Sequence, residues 1–93
     1  MDLATLIQSK QGTVIDVRSY EEFKSGHVAH SINIPLQEIP YKIADIKKLA
    51  QPIIVCCASG NRSGQAKNIL MQHELICYNG GSWLDVQDCL HNK

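Results

Sequence analysis

The feature that most constrains the fold is an apolar run, Pro52 through Cys56, that no polar residue interrupts. Strands that are covered on both faces of a parallel sheet have continuous runs of this kind. The run therefore predicts a central parallel strand with helices packed above and below it. The chain has 93 residues, which suits one compact domain and is too short for two. We expect residues 1–93 to form a single domain.

Hydrophobic periodicity predicts alternating strands and helices along the rest of the chain. The predicted helices cover 2–10, 20–25, 40–49 and 61–72, with a last helix lined by Trp83, Val86 and Leu90, and the predicted strands cover 13–17, 31–34, 52–56 and 75–78. Ser19 and Glu22 have the spacing of a capping box, and Gly80-Gly81 is expected to turn the chain. This alternation is typical of an α/β fold, a parallel sheet with helices on both faces.

Charge and hydropathy exclude several classes of partner. Nine basic and nine acidic residues give no net charge at neutral pH, whereas nucleic-acid-binding domains and polybasic membrane-surface proteins carry a basic excess. No apolar run approaches the roughly 18 residues of a membrane span, and the N-terminal residues lack the pattern of a signal peptide. We therefore expect a cytoplasmic protein with neither nucleic acid nor a membrane as its partner.

The cysteines and histidines do not have the spacing of a metal site. A reducing compartment disfavours disulfides, and the four cysteines form neither a C-x-x-C pair nor part of a zinc quartet. His27 and His30 have H-x-x-H spacing, but no third ligand is evident. We expect no bound metal, and we expect His27 to brace its turn through hydrogen bonds.

The segment after the apolar strand is the candidate site. Ligands bind at the carboxyl ends of the strands in an open α/β sheet. Small residues let the backbone curl and point its N–H groups inward, and the following helix adds the positive end of its dipole. Arg62 adds a planar cation. An anion is therefore expected in this loop, which consists of Ala58, Ser59, Gly60, Asn61, Arg62 and Ser63.

Cys57 stands at the start of this loop. A thiol at a helix N-terminus beside a cation has a lowered pKa and is present largely as the thiolate at neutral pH. The thiolate is a nucleophile suited to covalent catalysis. The alternative is an inert buried cysteine, and this is the interpretation we give to Cys77 and Cys89. We predict that Cys57 is the catalytic residue.

Four motifs, in this order along the chain, resemble those of the single-domain rhodaneses, a family of sulfurtransferases. They are Asp16-Val17-Arg18 with Glu22-Phe23, then Gly26-His27-Val28 with Asn33-Ile34-Pro35, then the C-x-x-G-x-R-S pattern of Cys57, Gly60, Arg62 and Ser63, and last Gly80-Gly81 with Trp83. The similarity covers about residues 12–90. Each motif alone is weak, but the ordered set is specific.

The resemblance implies a three-layer rhodanese-like fold with a central parallel sheet of four to five strands. It implies that the Cys57 thiolate takes sulfur from thiosulfate or a persulfide, and that the Cys57 persulfide passes it to cyanide or a thiol. A protein donor or acceptor is an alternative, and no cofactor is required. Arg62 would anchor the loop or the donor's oxygens. Family precedent has Asp16 hydrogen-bonding the loop, and the alternative for Asp16 is a plain helix-cap or turn residue. Independently of the resemblance, Arg18 and Glu22 are four residues apart and are expected to form a structural ion pair.

The chain also departs from the family pattern. Ala58 stands where many thiosulfate-using members carry a basic residue, which favours a persulfide or a protein as donor. His30-Ser31 replaces a common Gly-Ala pair and should affect only a turn. The segment Gly81-Ser82-Trp83 is shorter than the usual spacing, which would shift the last helix.

Cys56 leaves other functions open. Counted from Cys56, the segment reads C-x5-R-S, the signature of cysteine phosphatases. We favour Cys57 because Gly60 stands three residues after it, whereas Ser59 stands three after Cys56. Cys56 also completes the apolar strand, so its side chain should point into the core. Two further alternatives are a non-catalytic binding module of the same fold and a redox variant in which Cys56 resolves an oxidised Cys57.

Overall fold

The computed structural model describes residues 2–91, in which helices and strands alternate as expected. The helices are α1 (Leu3–Gln8), α2 (Tyr20–Ser25), α3 (Ile43–Ile46), α4 (Asn61–Gln72) and α5 (Trp83–His91), and a 3-10 helix spans Leu36–Tyr41. The strands are β1 (Thr13–Asp16), β2 (Ile32–Asn33), β3 (Ile53–Cys57) and β4 (Cys77–Ser82). None of the described helices is long and apolar enough to cross a membrane.

The strands form one parallel sheet in the order β2-β1-β3-β4. β3 lies between β1 and β4, and all five of its residues are buried. This confirms the prediction of a central strand covered on both faces. The sheet places the carboxyl ends of β1 and β3 side by side, since Asp16 pairs with Cys56.

Two hydrophobic clusters pack against opposite faces of the sheet, and the alternation of side chains along β3 divides its residues between them. Ile53, Val55 and Cys57 belong to the cluster that includes residues of the 3-10 helix, α3 and α4. Ile54 and Cys56 belong to the cluster that includes residues of α1 and α5. The adjacent cysteines therefore face opposite sides of the sheet, and Cys56 points into the core as predicted.

The helix predicted over 40–49 is wrong in extent. The chain forms the 3-10 helix over Leu36–Tyr41, with Pro40 inside it, and then the short helix α3. Lys42 separates the two with φ −115° and ψ 11°, outside helical geometry. The apolar spacing was genuine, because residues of both helices contribute to one core cluster. Pro40 lacks the N–H that an α-helix reaching back to Leu36 would use, which fits the 3-10 geometry of the Leu36–Tyr41 segment.

Gly80 and Gly81 were also misinterpreted, because they lie inside β4 instead of turning the chain. The register between β3 and β4 shifts between Val55 and Cys56, so Gly80 forms a bulge. A Cβ at Gly80 would lie 2.8 Å from Val86 Cγ2. The absence of a side chain thus lets α5 pack closely on the strand. The other boundaries agree with the predictions to within two residues.

Replacing Gly12 with alanine should destabilise the fold. Gly12 has φ +83°, and a Cβ there would lie 2.1 Å from the backbone oxygen of Pro52. The Thr13 N–H donates to that same oxygen at 3.0 Å, so it cannot move away without loss of the bond. We expect urea denaturation to show a loss of roughly 1–3 kcal/mol.

A matched control for this substitution is Gly64→Ala. Gly64 lies inside α4, and the nearest atom to its Cβ would be Asn79 Nδ2 at an ordinary 3.4 Å. Alanine favours helix over glycine by roughly 0.5–1 kcal/mol, so no loss of stability is expected. Equal stability losses in the two variants would contradict the steric explanation for Gly12.

Candidate active site

The loop between β3 and α4 forms a tight turn around Cys57. Gly60 is the N-cap of α4 and has φ +99°, in the left-handed region that glycine adopts readily. Ala58, Ser59 and Asn61 are exposed, whereas Ser63 is buried. The turn at Gly60 brings the first turn of α4 close to the end of β3, and the backbone curls tightly there as the small residues predicted.

The Cys57 sulfur lies at the centre of this turn and accepts hydrogen bonds from it. The Gly60 N–H donates to Sγ at 3.0 Å and the Ser63 N–H at 3.4 Å. The Ser63 Oγ is also 3.4 Å from Sγ. Cys57 itself has 0% of its surface exposed. The loop is therefore a cradle of N–H groups that encloses the sulfur.

Hydrogen bonding favours the thiolate of Cys57. Burial alone raises the pKa of the thiol, but hydrogen bonds from the Ser63 hydroxyl and from the N–H groups of Ser63, Gly60 and Ser59 outweigh it and hold the pKa below its ordinary value. The sequence predicted a lowered pKa from a helix end and a neighbouring cation. The structure gives the same direction, with hydrogen-bond donors as the cause.

We expect the pH titration of the protein's thiolate absorbance to show this. One thiol should ionise below the ordinary cysteine pKa, because the loop stabilises its charged form. As pH rises through that lowered pKa, alkylation of Cys57 should accelerate and then level off. The early transition should persist in Cys56→Ala and disappear in Cys57→Ser. An early transition that survives in Cys57→Ser would contradict the assignment.

Cys56 and Cys77 have environments of the opposite kind. Burial, followed by the charge of Asp16, raises the pKa of Cys56 to about 12. Burial raises the pKa of Cys77 to about 11. Cys89 is half-buried, and all four thiols are free. The inert interpretation of Cys77 thus fits its surroundings, and Cys56 is equally unsuited to be a nucleophile.

Arg62 is held by Glu22 in a bidentate ion pair. Nη1 donates to Oε1 at 2.6 Å and Nη2 donates to Oε2 at 2.9 Å. The Arg62 hydrogen bonds, followed by the Ser19 N–H, lower the pKa of Glu22 to about 2, so the pair stays ionised at neutral pH. The predicted pairing of Arg18 with Glu22 is therefore wrong. Arg62 therefore anchors the loop to α2. Anchoring the loop was one of the two roles expected of it, the other being to bind the donor's oxygens.

Asp16 and Arg18 pair with each other. The Asp16 carboxylate accepts hydrogen bonds from Arg18 N, Nε and Nη2 at 2.8–3.0 Å. Arg18 Nη2 also donates to the Gly26 oxygen, and its guanidinium lies 4.8 Å from the Trp83 ring centroid. Within residues 2–91 the Asp16 carboxylate makes its hydrogen bonds to Arg18 instead of the loop. Of the two predicted roles, the turn residue is the one observed.

Asn79 is a site residue that the sequence did not reveal. Its Oδ1 accepts from the Ser63 hydroxyl at 2.6 Å and from the Gly81 N–H at 2.9 Å, and its Nδ2 donates to the Gly60 oxygen at 3.1 Å. Because the Ser63 hydroxyl has one proton, it can donate to either Asn79 or Cys57 at a time. The backbone N–H groups of Gly60 and Ser63 donate to the sulfur in either case. The only sequence signal was its position directly after the predicted strand 75–78.

Two further features lie outside the cradle. His27 Nδ1 lies 2.7 Å from the Phe23 oxygen, and its ring stacks on Phe23 at 3.8 Å, so it braces its turn as predicted. A cavity of about 550 Å³ lies at the other end of the sheet, around Gly12, Thr13 and Val14. None of the predicted site residues lines that cavity. Hydrogen bonding, and not cavity size, identifies the site.

Comparisons with known proteins agree with the resemblance seen in the motifs. A family model described as a rhodanese-like domain matches residues 2–87. Thiosulfate sulfurtransferase PspE of Escherichia coli is 42% identical over 59 residues, which are 62% of this chain and 57% of PspE. The matched segment thus spans little more than half the length of that relative.

Solved structures extend the similarity to the fold. A rhodanese-related protein from Thermoplasma volcanium is 39% identical with a TM-score of 0.74, over 90% of this chain and 85% of that one. A rhodanese with anions from E. coli is 37% identical with a TM-score of 0.71, over 78% and 88%. Since the family model covers nearly the whole chain and the fold agrees, the chain belongs to the rhodanese-like domain family.

Proposed function

We propose that this protein is a sulfurtransferase that carries sulfur as a persulfide on Cys57. The observation that carries the proposal is the set of N–H groups from Gly60 and Ser63 that point at the Cys57 sulfur. Donors in this arrangement stabilise an anion at the place where it develops. The loop from Ala58 to Ser63 would bind the donor, with Asp16 and Arg18 supporting the fold beneath it.

The first step would form a persulfide. The Cys57 thiolate attacks the sulfane sulfur of the donor, the donor's bond to that sulfur breaks, and the electron pair leaves with the remainder of the donor. With thiosulfate the products are the Cys57 persulfide anion and sulfite. With a protonated thiol persulfide they are the Cys57 persulfide and a thiolate. Charge and atoms balance in both cases, and no cofactor takes part.

The second step would return the thiolate. A nucleophile such as cyanide attacks the outer sulfur, the sulfur–sulfur bond breaks, and its electron pair returns to Cys57. With cyanide the product is thiocyanate, and with a small or protein thiol it is a new persulfide. Because Cys57 has no exposed surface, a local displacement of the loop must admit each reactant.

Intact-mass analysis after exposure to thiosulfate or a thiol persulfide tests this function. We expect one added sulfur that cyanide removes, and peptide mapping should place it on Cys57. A protein that gains no sulfur from either donor, or gains it on another cysteine, would overturn the proposal. Release of phosphate from aryl phosphates without thiocyanate formation would favour the phosphatase alternative.

The surroundings of Cys56 argue against the two alternatives that depend on it. Its side chain belongs to the cluster formed with α1 and α5, on the face of the sheet opposite Cys57. Its raised pKa keeps it protonated at neutral pH. A phosphatase nucleophile or a resolving thiol would need to lie on the same face of the sheet as Cys57 and to have a lowered pKa.

A further inference from the structure

The charge of the loop is already neutralised. Arg62 is the one charged residue in the sequence from Ala58 to Ser63. Both of its terminal nitrogens donate to Glu22, one to each carboxylate oxygen. A guanidinium whose two terminal nitrogens already donate to a carboxylate cannot offer the same pair of donors to the oxygens of another anion.

Glu22 is fixed in position independently of Arg62. It stands at the third position of α2, where its Oε1 accepts from the Ser19 N–H at 3.0 Å and from the Ser19 hydroxyl at 3.1 Å. The Ser19 hydroxyl in turn accepts from the Glu22 N–H, which completes a capping box. The carboxylate is therefore preorganised to hold Arg62.

We propose that Glu22 is a specificity-determining residue that, by neutralising Arg62, favours singly charged or uncharged thiol persulfides over dianionic donors such as thiosulfate. This proposal rests on the sulfurtransferase function proposed above. The Cys57 thiolate repels an approaching dianion more strongly than a singly charged donor. A free cation in the loop would offset that repulsion. The ion pair with Glu22 neutralises the Arg62 cation, so the repulsion is not offset. The neutral N–H groups remain available to either class of donor.

A charge cycle tests the proposal with four proteins: the wild type, Glu22→Gln, Arg62→Gln and the double variant. Glutamine at position 22 keeps an oxygen that can accept from the Ser19 N–H, so the capping box can survive while Arg62 is released. The readout is the ratio of kcat/KM for thiosulfate to that for the persulfide of 2-mercaptoethanol, with cyanide as acceptor. Thermal denaturation of each variant reports on folding.

We expect the ratio to rise by roughly five- to tenfold in Glu22→Gln and to fall by a similar factor in Arg62→Gln. The double variant restores neutrality and should lie within about twofold of the wild type. The gain in Glu22→Gln should shrink at high ionic strength, because salt screens the released charge. Glu21→Gln, which removes an exposed neighbouring charge on α2, is the matched control and should leave the ratio unchanged.

The outcomes separate the two proposals. If the wild type gains no sulfur on Cys57 from either donor, both proposals fail. If it does but Glu22→Gln leaves the ratio unchanged, or Glu21→Gln changes it equally, only the role of Glu22 is overturned. If both single variants lose activity with the two donors alike and the ratio stays constant, the ion pair is merely structural and the specificity proposal is wrong.

Discussion

Replacing Cys57 with serine should lower sulfur transfer by roughly 10³-fold or more, the loss typical of removing a covalent nucleophile. A serine hydroxyl remains protonated at neutral pH and forms no persulfide. Its oxygen can still accept hydrogen bonds from Gly60 and Ser63, so the loop should keep its shape. Thiocyanate formation measured with each sulfur donor checks the result.

Cys56→Ala is the matched control for this variant. Cys56 is equally buried but lies in the opposite core cluster, so removing its sulfur should cost stability of about 1 kcal/mol and leave sulfur transfer within a few-fold of the wild type. Full activity in Cys57→Ser, or a matching loss in Cys56→Ala, would show that the nucleophile was assigned to the wrong residue.

Replacing Arg18 with methionine should have the largest effect on stability, a loss of roughly 3–5 kcal/mol. Asp16 is completely buried, and three of its four hydrogen bonds come from the Arg18 side chain. The variant would leave a carboxylate in the core with a single backbone donor. A loss of this size is a large part of the 5–15 kcal/mol typical of a small domain. Urea denaturation measures it.

The double variant Asp16→Asn with Arg18→Met distinguishes an unpaired charge from lost packing. Asparagine removes the charge and keeps an oxygen for the N–H of residue 18, so the double variant should be more stable than Arg18→Met alone. If Asp16→Asn recovers none of the stability lost in Arg18→Met, the buried charge is not the main cost, and the loss belongs to the contacts that both variants lack, such as the packing of Arg18 on Trp83.

The parts of the fold that the sequence predicted best are those set by local patterns. The continuous apolar run identified β3, and the capping box at Ser19 placed the start of α2 correctly. The errors arose where tertiary contacts overrode local signals. Gly80 and Gly81 suggest a turn when seen alone, but the packing of Val86 against the strand makes them part of a bulge.

The residues of the candidate site also differ in how well the sequence predicted them. The loop from Ala58 to Ser63 was predictable because one continuous segment contains it. Its partners were not, because they come from distant parts of the chain. Glu22 is 40 residues from Arg62 and Asn79 is 16 from Ser63. Arg18, four residues before Glu22, was the obvious partner for Glu22 from the sequence. Arg18 instead forms its ion pair with Asp16, which is only two residues away.

Asn79 joins the loop to the edge of the sheet, and this connection bears on how the site opens. It links Gly60 and Ser63, near the two ends of the turn, to β4. Loops that lack such links fray by themselves, whereas linked segments open together as one cooperative unit. Since Cys57 is enclosed, admitting a donor means breaking the Asn79 links or deforming β4 with the loop. The local displacement that admits a donor would then be coupled to the edge strand of the sheet through Asn79.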